Sequence, residues 1–291
     1  MTIAAALLLT SCGTVPITGR SQLNLVSDAD VLQSSLTQYA SFMSSATKST
    51  QATQSAQVTR VGQRIAAATE AYLKANGLAS EVKNFAWEFN LVKSDEVNAW
   101  CMPGGKIVVY EGILPVTQDE TGLAIVLGHE IAHSVAKHSA EQLSKQMRQQ
   151  YAAQIGGSVL GQLAQNKGMS SNTAALIDLI AQQGFNFANL KYSRDNETEA
   201  DRLGLIFAAM AGYDPHQAIP FWQRMAQLGG GSQKSEIFSD HPSDEKRIAN
   251  LQKVLPEALK YYTPATTPAP ATQKASTTKK TTTTKKTAAK K

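Results

Sequence analysis

Apolar residues recur at helical intervals through most of this chain. From Asp30 to Ser44, Val31, Leu32, Leu36, Tyr39 and Met43 follow a 3.6-residue repeat, and Val58 to Leu73 continues it with Val61, Ile65, Ala68 and Tyr72. Both segments are predicted to be packing helices. Two stretches break the period. Phe85 to Val92 and Lys106 to Tyr110 gather β-branched and aromatic residues on either side of Pro103-Gly104-Gly105, which predicts short strands of one small sheet. From Gln118 to about Gln150 the pattern predicts one long helix, with Leu123, Val126, Leu127, Ile131 and Val135 as its apolar face. Arg194 to Met210 predicts a further helix ended near Gly212, and Pro215 to Leu228 and Ser243 to Leu255 complete a helical C-terminal half.

The segments without this periodicity set the domain limits. Residues 13–30 are polar and turn-rich, with Pro16 and Gly19, and read as a lead-in. Residues 152–188 are rich in Ala, Gly, Gln and Ser, with apolar pairs such as Val159-Leu160 and Leu176-Ile177, and predict a small-residue helical hairpin that serves either as a lid or as plain packing. From Thr263 to Lys291 the composition is Thr, Pro, Ala and Lys, too poor in apolar surface to fold. One compact domain over residues 31–262 is the expectation, of α+β class and mainly helical, since 291 residues at 42% hydrophobic content suffice for a core.

Charge changes the picture only at the tail. The net charge is +5, but residues 263–291 hold seven lysines and no acid, and residues 1–12 carry no charged side chain. Setting the tail aside leaves −2 for residues 13–262. The basicity therefore gives no ground for a nucleic-acid partner; the tail lysines suit anionic lipid or cell-wall polymer, or simply solvate the end of the chain.

Two cysteines in unrelated contexts exclude a disulfide framework. Cys101 reads as a small buried hydrophobe. Cys12 closes an apolar run from Met1 that is too short to span a bilayer and resembles the core of a secretory leader. Leu9-Thr10-Ser11-Cys12 resembles a bacterial lipobox, which makes residues 1–12 a lipoprotein signal with Cys12 as the acylated residue. No Lys or Arg precedes the run, a departure that fits a start inside a longer leader. Gly13 follows the cysteine where aspartate would favour inner-membrane retention, so the outer membrane is the expected destination.

The chemistry lies in two helical segments. In His129-Glu130-Ile131-Ala132-His133 the four-residue spacing puts both imidazoles on one face, about 5–6 Å apart at Cβ, where two nitrogens can grip one ion. One Zn2+ suits such a pair, and Glu130 beside it is placed to act as a general base toward water. Some sixty residues on, Glu197 and Asp201 share a face by the same spacing. Glu197 is the candidate third ligand, and Asp201 is placed to accept the outer N–H of a ligand histidine. Glu199 falls elsewhere on the wheel and is expected to be a solvated surface charge. Two satisfied histidines on a packed helix would leave this second carboxylate-bearing helix unexplained.

These motifs, with Thr18-Gly19-Arg20, Asn98-Ala99, Pro103-Gly104-Gly105, Tyr192-Ser193-Arg194 and Asp240-His241-Pro242, resemble the zinc metallopeptidase family of the CAAX prenyl endopeptidases, in particular its bacterial outer-membrane lipoprotein branch. The likeness runs over most of residues 16–255. It implies a zincin-like, minigluzincin domain in which His129, His133 and Glu197 bind zinc and Glu130 is the catalytic base. It also implies that Asn98 to Tyr110 includes an edge strand pairing with extended peptide, with Asn98, Ala99, Gly104 and Gly105 as substrate-binding positions. His241 matches a histidine that approaches the metal, so it is a candidate fourth ligand or switch, with capping near Pro242 as the other reading. Unfolded or misassembled envelope proteins are the expected substrates, and a membrane contact through the lipid the expected anchor, facing the periplasm. Two other classes stay open: a chaperone-like adaptor using the same groove with little proteolysis, and a cell-wall or lipid-binding module acting through the tail. Cys101 inside the edge segment and the lysine-rich tail depart from the family pattern.

Overall fold

The computed structural model of the chain describes residues 12–155, 185–229 and 245–264. The expected leader (residues 1–11), most of the stretch expected to form a small-residue hairpin, His241 and the tail from residue 265 lie outside the described residues. The described chain opens with an antiparallel hairpin, β1 (Cys12–Thr14) against β2 (Ser21–Leu23), with Gly13 opposite Gln22. Its loop passes through left-handed backbone at Ile17 and Gly19 and closes where the Val15 N–H donates to the Arg20 carbonyl at 2.8 Å. Val15 is buried in the main core, so the hairpin is packed onto the domain.

Helix α1 (Asp28–Ser45) starts at Ser27, whose side chain accepts the Asp30 N–H, and α2 (Ala52–Ala75) and the short α3 (Ala79–Val82) follow. Three strands come next: β3 (Glu88–Val92), β4 (Ala99–Met102) and β5 (Lys106–Tyr110). Their order is β3-β5-β4, with β5 parallel to β3 and antiparallel to β4. After the short α4 (Leu114–Thr117) come α5 (Glu120–Val135) and α6 (His138–Ile155). Alternation along the strands sends side chains to two cores. Phe89, Leu91, Ala99, Cys101, Ile107 and Val109 join residues of α2 and α5, while Val92, Trp100, Met102 and Val108 join residues of α1 and α6. A sheet covered on both faces has no polar side to show in the sequence, which is why the strands read as short apolar runs. Cys101 is buried as expected.

The long helix expected from Gln118 to Gln150 is two helices. The break falls at Lys137, whose φ of 56° is the left-handed conformation that ends helices and is ordinarily given to glycine. Here a lysine takes it because its side chain is fixed, with Nζ 2.7 Å from Asp28 Oδ2 and 2.8 Å from Glu81 Oε2. Gln22 Nε2 donates to the freed Ala136 carbonyl at 3.0 Å. No glycine or proline stands at the break, so the apolar period runs through it unmarked.

Helix α7 (Arg194–Met210) matches the predicted span; Ser193 and Asn196 form a reciprocal capping box at its start. A turn through Gly212 and Pro215–Gln217 leads to α8 (Ala218–Gly229), and α9 (Glu245–Ala258) packs against α7. The described residues form a mainly helical α+β domain with two small sheets.

Helices α5 and α7 cross with their backbones in contact. A Cβ on Gly128 would lie 2.5 Å from the Gly204 carbonyl oxygen, and a Cβ on Gly204 would lie 2.6 Å from the His129 nitrogen. Only hydrogen fits at either position. Gly204→Ala is therefore expected to destabilise the protein by about 1–3 kcal/mol through overpacking. Helix propensity alone would give the opposite sign, since alanine is favoured over glycine by roughly 0.8–1 kcal/mol. Urea unfolding of the two proteins measures this, and a gain in stability would contradict the crossing.

Candidate metal centre

The crossing brings side chains of α5 and α7 to one buried point. His129 and His133, one turn apart on α5, face each other with 3.0 Å between their Nε2 atoms. Glu197 of α7 closes the third side, with Oε2 3.4 Å from His129 Nε2 and Oε1 3.3 Å from His133 Nε2. All three are buried, and one donor atom from each lies within 4.8 Å of the others. Donors held about 2.0–2.1 Å from a tetrahedral ion stand about 3.3 Å apart. The observed separations meet that requirement, so the residues fit a divalent ion of zinc's size and ligand preference.

Charge points the same way. Burial pushes the His129 imidazole down, yet hydrogen bonds to Asp201 and Glu197 outweigh it and raise its pKa to about 9. Burial holds His133 well below the usual histidine range, and the neighbouring His129 and His138 add to that effect against Glu197. Two buried carboxylates sustaining one cationic ring make a site that favours positive charge.

Partners outside the donor set fix its members. Asp201 Oδ1 lies 2.9 Å from His129 Nδ1, where the helical spacing of Glu197 and Asp201 places it. Arg247 of α9 reaches over the same group: its NH2 donates to Asp201 Oδ1 at 2.5 Å, its NH1 lies 3.5 Å from Glu197 Oε2, and its guanidinium covers the Trp222 ring at 3.4 Å. The ring of His133 is stacked on Tyr192 at 4.1 Å, and the Tyr192 hydroxyl meets Ser139 Oγ at 2.9 Å. The other nitrogen of His133, Nδ1, is 2.9 Å from His138 Nδ1.

Glu199 is not the solvated charge that the helical wheel predicts. It is buried, 3.1 Å from His138 Nε2, and accepts from Arg20 Nε at 2.8 Å and Thr18 Oγ1 at 2.5 Å. The wheel places Glu199 on a face away from Glu197, which is correct, but that face is covered by the N-terminal hairpin. Arg20 also grips Glu141 through both terminal nitrogens, at 3.1 and 2.7 Å.

Glu130 is buried between the two histidine positions of α5, on the side toward β4: its charge raises the thiol pKa of Cys101, after burial, and also that of Tyr192. None of the four positions expected along the edge segment belongs to the donor set. Asn98 and Ala99 stand at the start of β4, where Asn98 Oδ1 accepts the Ala99 N–H at 2.8 Å and the Asn98 carbonyl accepts the Tyr110 N–H at 3.1 Å. Gly104 and Gly105 form the β4–β5 turn, with φ of 89° and 81°, so glycine there answers a backbone need. Gly104 also lines, with Pro103, a small cleft that reaches His133 and Ser134. Cys12 begins β1, and His241 is outside the described residues.

Four contributors escape the sequence reading: His138, Arg20, Arg247 and Trp222. His138 follows His133 by five residues, which in an unbroken helix places it on another face; only the turn at Lys137 swings it back. Arg20 belongs to a motif whose residues gave no hint of a distant carboxylate partner.

A mainly helical domain in which two histidines of an HExxH helix and a glutamate of a second helix converge defines a metallopeptidase domain. The chain belongs to peptidase family M48, which matches residues 33–255. Among its relatives are the mitochondrial metalloendopeptidase OMA1 of Schizosaccharomyces pombe, 35% identical over 62% of this chain and 50% of the relative, and that of Homo sapiens, 29% identical over 84% and 46%. The beta-barrel assembly-enhancing protease of Yersinia pestis is 34% identical over 57% of this chain and 34% of that relative. The chain thus spans about half the length, or less, of the curated relatives it matches.

The ionic network beneath the site is expected to show in acid. Although burial works against it, the hydrogen bonds of Glu141 to Arg20 and Lys145 lower its pKa to about 2. A depressed carboxylate stabilises the fold above its unfolded value, about 4.3, and that contribution is lost as pH falls through the folded value. The melting-temperature difference between wild type and Glu141→Gln should be full above pH ~4.3 and shrink toward pH ~2. A difference that does not change over this range would contradict the pairing.

Proposed function

We propose that this chain is a zinc-dependent endopeptidase that cleaves unfolded or misassembled cell-envelope proteins. The observation that carries the reading is the convergence of His129, His133 and Glu197 on one point with Glu130 on the same helix, in a chain of family M48. His129, His133 and Glu197 would hold the ion. When bound, zinc supplies Lewis acidity, which polarises a carbonyl and lowers the pKa of water toward ~7.

The rest of the chemistry belongs to the chain's own side chains. Glu130 serves as general base and then as acid, taking a proton from the attacking water and returning it to the leaving amine. Its burial, and its place next to β4, support that role by keeping the carboxylate in a poorly solvated setting. Among the described residues β4 is hydrogen-bonded on one side only, to β5; its residues are buried, with residues 187–189 beside it, so an extended peptide that pairs along its other side has to displace that cover. Such pairing reads little of the side-chain sequence, which favours unfolded segments as substrates. Asp201 and Arg247 keep His129 and Glu197 oriented.

The envelope setting rests on the lipobox at Cys12, which makes the chain an outer-membrane lipoprotein facing the periplasm, and on relatives named as beta-barrel assembly-enhancing proteases. Among the described residues no helix is long and apolar enough to cross a membrane.

Glu130→Gln is expected to keep bound zinc and to lose cleavage of an unfolded protein such as casein by roughly 10²–10⁴-fold. Metal analysis together with a chelator-controlled cleavage assay measures both. Undiminished turnover by the variant would remove Glu130 from the reaction, and full function in cells without turnover would favour the adaptor.

A further inference from the structure

The donor set has an outer chain of contacts that leads to the N-terminal hairpin. His133 presents Nε2 to the donor cluster and Nδ1 to His138 Nδ1, at 2.9 Å. His138 Nε2 meets Glu199 Oε2 at 3.1 Å. Glu199 in turn is held by Thr18 Oγ1 and Arg20 Nε, and the far end of Arg20 forks onto Glu141. His138 is wholly buried, and the Glu199 and Glu141 side chains are 8% and 4% exposed, so solvent offers these groups little substitute for each other.

Hydrogen-bond logic gives the chain a direction. A neutral imidazole has one N–H and one bare nitrogen. A metal ligand needs the bare nitrogen toward the ion, which for His133 is Nε2, so its N–H sits on Nδ1 and donates to His138 Nδ1. His138 must then accept on Nδ1 and carry its own N–H on Nε2, which donates to Glu199. The carboxylate thereby selects the tautomer of both rings. Glu199 can do so only while its oxygens stay fixed, and Thr18 and Arg20 fix them.

We infer that Arg20, acting through Glu199 and His138, is a positioning residue for the metal ligand His133, and that the β1–β2 hairpin is thereby part of the metal centre. The inference rests on the reading of His133 as a ligand. It gives the Thr18-Gly19-Arg20 motif a purpose: the tight loop through Gly19 aims two side chains at one carboxylate 179 or more residues away in the chain. It also explains the break at Lys137. Without that turn α5 would run on through His138 and carry it to another face, and His138 would not reach His133 Nδ1.

The test compares zinc affinity across full-length variants by competition with a chromophoric chelator, alongside the melting temperature of each zinc-free protein. Glu199→Gln and Arg20→Ala are expected to weaken zinc binding by about 10–100-fold, the usual cost of losing a partner of a metal-bound histidine. Arg20→Lys, which keeps the charge but not the fork, should recover part of that loss. Lys145→Ala removes a neighbour that pairs, among the described residues, with Glu141 and is expected to leave affinity within about 2-fold. Should Arg20→Ala fail to fold, the isosteric Glu199→Gln decides alone. Zinc affinity unchanged from wild type in both Glu199→Gln and Arg20→Ala would overturn the inference and leave the proposed function standing, as would equal melting losses with no loss of affinity. Wild type that binds no zinc would overturn the proposed function and the inference with it.

Discussion

The backbone contact between Gly128 and Gly204 is the constraint on which the site depends. Helices that meet through side chains keep their axes some 8–10 Å apart, and short carboxylate and imidazole arms then have limited reach. At this crossing neither helix carries a side chain, and His129 beside the contact on one helix is brought within reach of Asp201 and Glu197, one and two turns before Gly204 on the other. The same two helices supply much of the surrounding core, including Leu123, Leu127, Ile131, Leu203 and Phe207. Apolar burial thus pins the geometry that the polar groups use.

Charges at the crossing are balanced in layers. Glu197 and Asp201 are answered by His129 and by Arg247, which lies flat on Trp222 and so is held by an aromatic face as well as by its ion pairs. Glu199 and Glu141, farther out, are answered by Arg20, Lys145 and His138. Buried carboxylates without such partners would lose their charge or unfold the site.

Much of this was legible in the sequence where the signal is local. The i,i+4 spacings of His129 with His133 and of Glu197 with Asp201 depend only on helix geometry, and α7 covers the Arg194 to Met210 span read from the pattern, ending just before Gly212. What the sequence hid depends on long-range contacts. The end of α5 is set by Lys137 held by Asp28 and Glu81, far from it in the chain, so no local turn residue announces it. Glu199 looked solvent-facing because a helical wheel carries no information about what covers each face; the cover is a hairpin from the other end of the chain. The two strand stretches were visible as apolar runs, yet their order β3-β5-β4 and the burial of both sheet faces follow from packing against helices on either side.

The most direct measurement of the central claim is anomalous diffraction at the zinc absorption edge from crystals of the zinc-loaded protein. The account requires a single peak about 2.0–2.2 Å from His129 Nε2, His133 Nε2 and a carboxylate oxygen of Glu197. A peak held by other residues, or one touching the histidines with Glu197 turned away, would contradict it.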